Sequence, residues 1–185
     1  WQQTKRLNTI VYSTLELGRL RAAAQLDKFP VDMVLVAEEA VAELILRAEA
    51  EDIGLDFHFT PPIPLVLGNP DKLKQLLINV LDNALKYSQP DGLVTVSLAA
   101  ITEGVQCQVV DIGEGIPAQH LPRLTQQFYR VRRDVPGSGL GLAIVEEIVR
   151  QHNGRLTITS STEPPTGTAV TFTLPYLPDP MSDPE

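Results

Sequence analysis

Between Leu73 and Ala84 the chain reads "LKQLLINVLDNA". Laid out at about 100° per residue, Leu73, Leu76, Leu77, Val80, Leu81 and Ala84 fall on one side of a helix. A stripe that broad has to be covered by an equally broad apolar surface, which makes this helix the piece around which any fold of the chain must be arranged. The stretch "GNPDKL" just before it supplies a start, with Asn69 as N-cap and Pro70 at the first helical position. On another side of the same helix Asn79, Asn83 and Lys86 gather within an arc of roughly 60°. Asparagine is a poor helix former because its side chain competes for backbone hydrogen bonds. For either Asn alone a solvated helix back is the ordinary reading; two amides and a lysine on one arc ask for a reason.

The other segments read as a mixture of helices and strands. Leu7, Ile10, Val11, Thr14, Leu17 and Ala24 recur at helical spacing and predict a helix whose single stripe needs a partner helix. "DKFPVD" interrupts it. Asp32 is then an N-cap for a second helix, with Met33, Val36, Ala37, Ala40, Val41, Leu44 and Ala48 on one face. "GLDFHF", "LVTVSL", "VQCQVV", "RLTITS" and "TAVTFTL" alternate as strands, and "TPPIP" is extended loop. A further helix is predicted from about Leu140 to Gln151, stopping at "NG". These elements divide the chain into 1–29 (a helix and linker), 30–176 (the main domain) and 177–185, a proline-rich acidic tail expected to be disordered.

A net charge of −8 and a pI near 4.9 argue against a nucleic-acid-binding face. The one cysteine, Cys107, excludes a disulfide within the chain and reads as a small core residue. No run of about 18 apolar residues is present, and the start "WQQTKRLN" has neither the pattern of a signal peptide nor a Met, so the sequence is read as a piece of something longer.

Two glycine-rich segments give the asparagines a context: "DIGEGIP" after a strand, and "GSGLGL" leading into a helix, where backbone N–H groups and the positive dipole end can meet phosphate. In this order the segments resemble the catalytic, ATP-binding domain of bacterial sensor histidine kinases, in the superfamily that includes DNA gyrase and mismatch-repair ATPases. "NVLDNALKYS" resembles the N box, "DIGEGIP" the G1 box, "LTQQFYRV" the F box and "GSGLGLAIV" the G2 box, with "GTAVTFTLP" as the closing strand. The resemblance covers about Val31 to Pro175 and implies an α/β Bergerat fold, a mixed sheet packed on helices with nucleotide between a helix and a lid.

Carried over residue by residue, the resemblance implies ATP and Mg2+ as ligands. Asn83 would give Mg2+ an amide oxygen, Asn79 would support the metal or its waters, and Lys86 would neutralise phosphate charge. Tyr87 would pack against base or ribose, although a core-edge aromatic fits its position nearly as well. Asp111 would accept from the adenine amino group, with Gly113, Gly115 and Ile116 letting the backbone approach. Thr168 would hold a water there with Asp111; an ordinary strand residue is a comparable reading. Gly137, Gly139, Leu140 and Gly141 would fold the lid over phosphates, Phe128 and Tyr129 would anchor it, and Arg130 would reach phosphate. Arg132 and Arg133 would reach phosphate or a partner, or be a solvated basic turn.

At the position of Asn79 gyrase-like relatives carry a glutamate that activates water. Asparagine cannot accept that proton, so the resemblance implies ATP held for transfer to a histidine imidazole, a protein histidine kinase with Asn79 and Lys86 as its catalytic residues. Its partners would be a phosphoacceptor helix of its own or a second subunit, then a response-regulator receiver domain. The full-length protein would be a homodimer, its domain cytoplasmic and the whole open to membrane anchoring. The chain departs from the pattern in Thr125, Gln126 and Gln127 of the F box, in a short lid from Val131 to Gly137, and in having no acceptor motif around His58, His120 or His152. The first helix resembles the second half of a dimerisation hairpin, so the fragment is expected to be unable to phosphorylate itself. "HLPRLTQQFYRV" most resembles the phosphate-starvation type. Three rivals remain: a gyrase-type hydrolase using Asp82 or Glu114, a nucleotide-binding interaction module without catalysis, and a serine kinase of the anti-sigma type, which shares the boxes but normally lacks a dimerisation helix like that at Leu7 to Ala24.

Overall fold

The computed structural model describes residues 2–22, with side chains from residue 10, and residues 26–132, 134–135 and 137–177. The Leu7 side chain, Ala24, Arg133 and the tail from 178 onwards lie outside the described residues. In chain order the elements are α1 (Gln2–Ala22), β1 (Phe29–Val31), α2 (Met33–Ala50), β2 (Gly54–Thr60), β3 (Val66–Gly68), α3 (Pro70–Tyr87), β4 (Leu93–Ile101) and β5 (Gly104–Asp111). A 3-10 turn follows at Ala118–Arg123, then α4 (Gly141–Gln151), β6 (Arg155–Ser161) and β7 (Gly167–Leu174).

Five strands form one sheet in the order β2-β4-β5-β7-β6. β2 runs parallel to β4 and all the other neighbours are antiparallel, so the sheet is mixed. Alternation sends Val94, Val96 and Leu98 of β4, Val105, Cys107 and Val109 of β5, and Val170, Phe172 and Leu174 of β7 into the core. The α3 stripe meets them: Leu73, Leu76, Leu77 and Leu81 are fully buried. α2 packs beside α3, and α4 on its other side, giving the two-layer α/β sandwich that the resemblance implied. Burial pushes the Cys107 thiol's pKa up, as suits a core residue.

Two short elements went unread in the sequence. β1 and β3, three residues each, pair antiparallel with Val31 opposite Val66, and both of those side chains are buried. A three-residue strand containing Pro30 has too few positions to display a period. The first helix also differs from expectation. Its described span begins at Gln2, and among the described side chains of its predicted stripe Leu17 alone is buried, together with Leu20 outside the stripe, while Val11, Tyr12 (74% exposed) and Leu15 face out. The reason is its partner: α1 meets α4, where the Gln151 amide donates to Leu20 O and Arg21 lies near Glu147. No helix among the described residues is long and apolar enough to cross a membrane.

Candidate nucleotide site

The polar arc of α3 opens on a cleft bounded by α4 and by the segment after β5. Local chemistry sets its direction. Asn69 caps α3 by accepting from Lys72 N at 3.1 Å, the leucine stripe holds the helix on the sheet, and the remaining side is turned to the cleft. Asn79 Nδ2 donates to Gln75 O at 2.9 Å, which turns Oδ1 outward. That oxygen lies 3.3 Å, and Asn83 Nδ2 3.6 Å, from where a Cβ on Gly141 would sit. The two amides therefore abut the first residue of α4. The N-cap of α4, Leu140, makes no side-chain capping bond, so the first-turn N–H groups and the positive dipole end lack a capping side chain on the cleft side. Lys86 lines the cleft and donates to Asp82, which also accepts from Arg47 of α2.

The opposite end is built around Asp111, the last residue of β5 and only 7% exposed. Its Oδ1 accepts from Gly113 N at 3.0 Å and from Thr168 N at 3.2 Å. Burial raises its pKa and these two N–H donors oppose the rise. Oδ2 has no partner among the described side chains and backbone, and is the acceptor left for a ligand. Thr168 stands opposite Asp111 in the β5–β7 register and lines the cleft. Gly113 bridges to Ser88 and braces the loop without lining the cleft. Gly115 has φ +76, and a Cβ there would lie 1.9 Å from Ser161 O, so only glycine lets this loop lie against the end of β6. Ile116, next in the loop, lines the cleft and donates its N–H to Ser160 Oγ at 2.8 Å.

Tyr87, half-buried with its phenol pKa pushed up by burial, lines the cleft beside Arg130, Gly137 and Gly139. Arg130 donates to Val135 O. Tyr129 also lines the cleft, held by His120 Nδ1 at 2.6 Å and by Arg123 stacked 4.2 Å above its ring. Arg132 pairs with Glu114 at 3.0 Å and Asp134 at 2.6 Å. Two of the expected residues do not line the cleft with their side chains. The Leu140 side chain is fully buried, an aliphatic group docked in the core. Phe128 is 54% exposed and does not line the cleft; its backbone, at φ +62, is tied through its N–H to Gly139 O. Its neighbour Tyr129 forms the wall instead.

The sequence reading missed the apolar floor of Val109, Ile158 and Val170, and Ser13 of α1 at the rim. The floor's only signal was strand alternation, which every core strand shares. Among the described residues no cluster of three or more His, Cys, Asp or Glu could hold a metal ion. A cation here would rest on neutral amide oxygens, a donor set suited to Mg2+, which keeps water and phosphate oxygens for its remaining positions.

A family model described as histidine kinase-, DNA gyrase B- and HSP90-like ATPase matches residues 68–178, more than half of the 185-residue chain. The chain belongs to this ATPase family. Within it, the chain is the ATP-binding catalytic domain of a sensor histidine kinase. This ATPase domain is 35% identical over 164 residues to the probable sensor histidine kinase TcrY of Mycobacterium tuberculosis, a match covering 86% of the chain and 34% of TcrY. Among solved structures, the mycobacterial sensor histidine kinase MprB is 37% identical with a TM-score of 0.72, over 82% of this chain and 99% of that one. Full-length ShkA in complex with AMPPNP is 28% identical with a TM-score of 0.84, over 96% of this chain and 37% of ShkA. The ATPase domain thus spans about a third of the length of TcrY.

Proposed function

We propose that this domain binds ATP and Mg2+ in the cleft between α3 and α4. The γ-phosphate then passes to a histidine imidazole on a dimerisation helix outside the chain, for onward transfer to a response-regulator receiver domain. The whole protein would act as a homodimer with this domain on the cytoplasmic side. The observation that carries the reading is the meeting of Asn79 and Asn83 with the start of α4 at one end of a cleft whose other end is the Asp111 carboxylate. Asp111 Oδ2 accepts from an exocyclic amino group of the base. The phosphates extend to the α4 N-terminus, where N–H groups and Lys86 offset their charge. Asn83, with Asn79, would hold Mg2+, which when bound supplies positive charge on the phosphate oxygens.

Transfer is favoured over hydrolysis by the state of the acids in the cleft. Asn79 has no basic lone pair to take a proton from water. Asp82 is engaged by Arg47 and Lys86, Glu114 by Arg132, and Asp111 by two backbone N–H groups. The three histidines are likewise committed or remote: His58 is exposed on β2, His120 bonds Tyr129, and His152 is buried. The chain alone is therefore proposed not to phosphorylate itself. Calorimetric titration with a non-hydrolysable ATP analogue tests the reading: saturable binding that tightens with Mg2+ is expected, and no binding in either condition would overturn it.

A further inference from the structure

Ser160, on β6, does not line the cleft, yet three short contacts converge on its hydroxyl. Its Oγ accepts from Ile116 N at 2.8 Å, lies 2.7 Å from Gly167 O, and lies 2.9 Å from Thr168 Oγ1. Counting protons decides who donates. A carbonyl oxygen only accepts, so at 2.7 Å from Gly167 O the single Ser160 proton has to point there; without it two lone pairs would face each other. With that proton committed, the contact to Thr168 can be a hydrogen bond only if Thr168 donates. The Thr168 proton is thus turned away from the cleft, and Thr168 offers the cleft a lone pair and no donor.

We infer that Ser160 is a positioning residue for base selection: by fixing the direction of the Thr168 hydroxyl it makes the base end of the cleft acceptor-only. Asp111 Oδ2 is an acceptor, and Thr168 Oγ1 beside it is now another. A ligand edge or bridging water entering there has to bring the protons. That selects a base with an exocyclic amino group over one with a carbonyl at the same place. The backbone supports the arrangement, because Gly167, at φ +145, brings β7 so close that a Cβ would lie 2.1 Å from Asp111 O. Ser160 thereby ties the loop of Ile116, the β6–β7 turn and the base edge into one hydrogen-bonded unit.

This inference rests on the nucleotide reading above, and the experiment separates the two. Affinities of the chain for non-hydrolysable adenosine and inosine triphosphate analogues are measured by calorimetry. The two bases differ in the amino group against the carbonyl and in the proton on the adjacent ring nitrogen. In Ser160→Ala the Thr168 proton is free to turn into the cleft, and the preference for adenosine over inosine should fall by roughly three- to tenfold, the value of one neutral hydrogen bond. Ser160→Cys, nearly isosteric and a poor acceptor, should shift it the same way, while Ser160→Thr should restore the wild-type ratio. In a Thr168→Val background, Ser160→Ala should leave the ratio where it was. An equal loss of affinity for both analogues, with the ratio unchanged in both the Ala and Cys variants, would overturn the inference while leaving the nucleotide reading standing. Failure of the wild-type chain to bind either analogue would overturn the nucleotide reading and this inference with it.

Discussion

Asp111 has one oxygen saturated by backbone and the other left for a ligand. Replacing it with Asn puts an amide where an acceptor-only group stood, and a hydrogen bond to a charged group is worth about 1.5–3 kcal/mol. Asp111→Asn should therefore weaken adenine nucleotide binding by about tenfold or more by calorimetry, with little change in melting temperature. Asn83→Ala should remove the Mg2+-dependent tightening while leaving Mg2+-free binding measurable. His152 is a different case. Buried at 3% exposure, its Nε2 accepts from Asn69 N at 3.0 Å and its Nδ1 donates to Ile148 O at 2.7 Å, which joins the end of α4 to the start of α3. Burial, with Lys28 adding to it, lowers its pKa below the ordinary 6.5 against the opposing bond to Ile148 O. The folded state holds the neutral ring, so its contribution is complete above about pH 6.5 and is lost as pH falls through the window below. Melting curves from pH 7.5 downward should show a decline that His152→Phe flattens, at a cost of about 1–3 kcal/mol for the Asn69 N–H left without an acceptor. The amide arc of α3 could be read in the sequence because 3.6-residue periodicity is local. The Arg47–Asp82–Lys86 triad, the bonds of His152 and the partners of Ser160 could not, since each depends on residues that only tertiary packing brings together.

At the scale of elements, legibility followed length. α2 and α3 carry stripes of several turns, and their buried faces match the expectation, including Val41 of α2 packed at the edge of the core, while α4 runs over the span expected of it. β1 and β3 are too short to show a period, and the part of α1 buried among the described residues is its end near Leu17 and Leu20, where it meets α4. The start of α3 was legible in full, for a capping residue and an N1 proline are sequence-local signals. Asn69→Ala should lower stability by about 1 kcal/mol in a denaturant titration, the usual cost of losing an N-cap. The loop of Gly115 is under a different constraint. Gly115→Ala forces either a clash with Ser161 O or a move of the whole loop, and should reduce nucleotide affinity even where the fold persists.

For the whole molecule, the fold and the cleft followed from a handful of boxes because each marks a place where an element borders the cleft: the arc of α3, the end of β5, the start of α4, the register of β7. The proposed division of labour has a direct check. Incubated with labelled ATP, the chain should accumulate no acid-labile phosphohistidine, and label on any of its histidines would contradict the proposal. The sheet order adds a consequence in time. β7, the last strand, lies inside the sheet between β5 and β6, and brings Thr168 to an Asp111 that is 57 residues earlier. Closing so long a loop is slow, and β6 is joined to the rest of the sheet only through β7. On the ribosome, then, a nascent chain shows β5 with a bare edge and the Asp111 end of the cleft half-built until nearly all of this sequence has emerged, and a nucleotide bound as proposed can begin to stabilise the fold only from that moment.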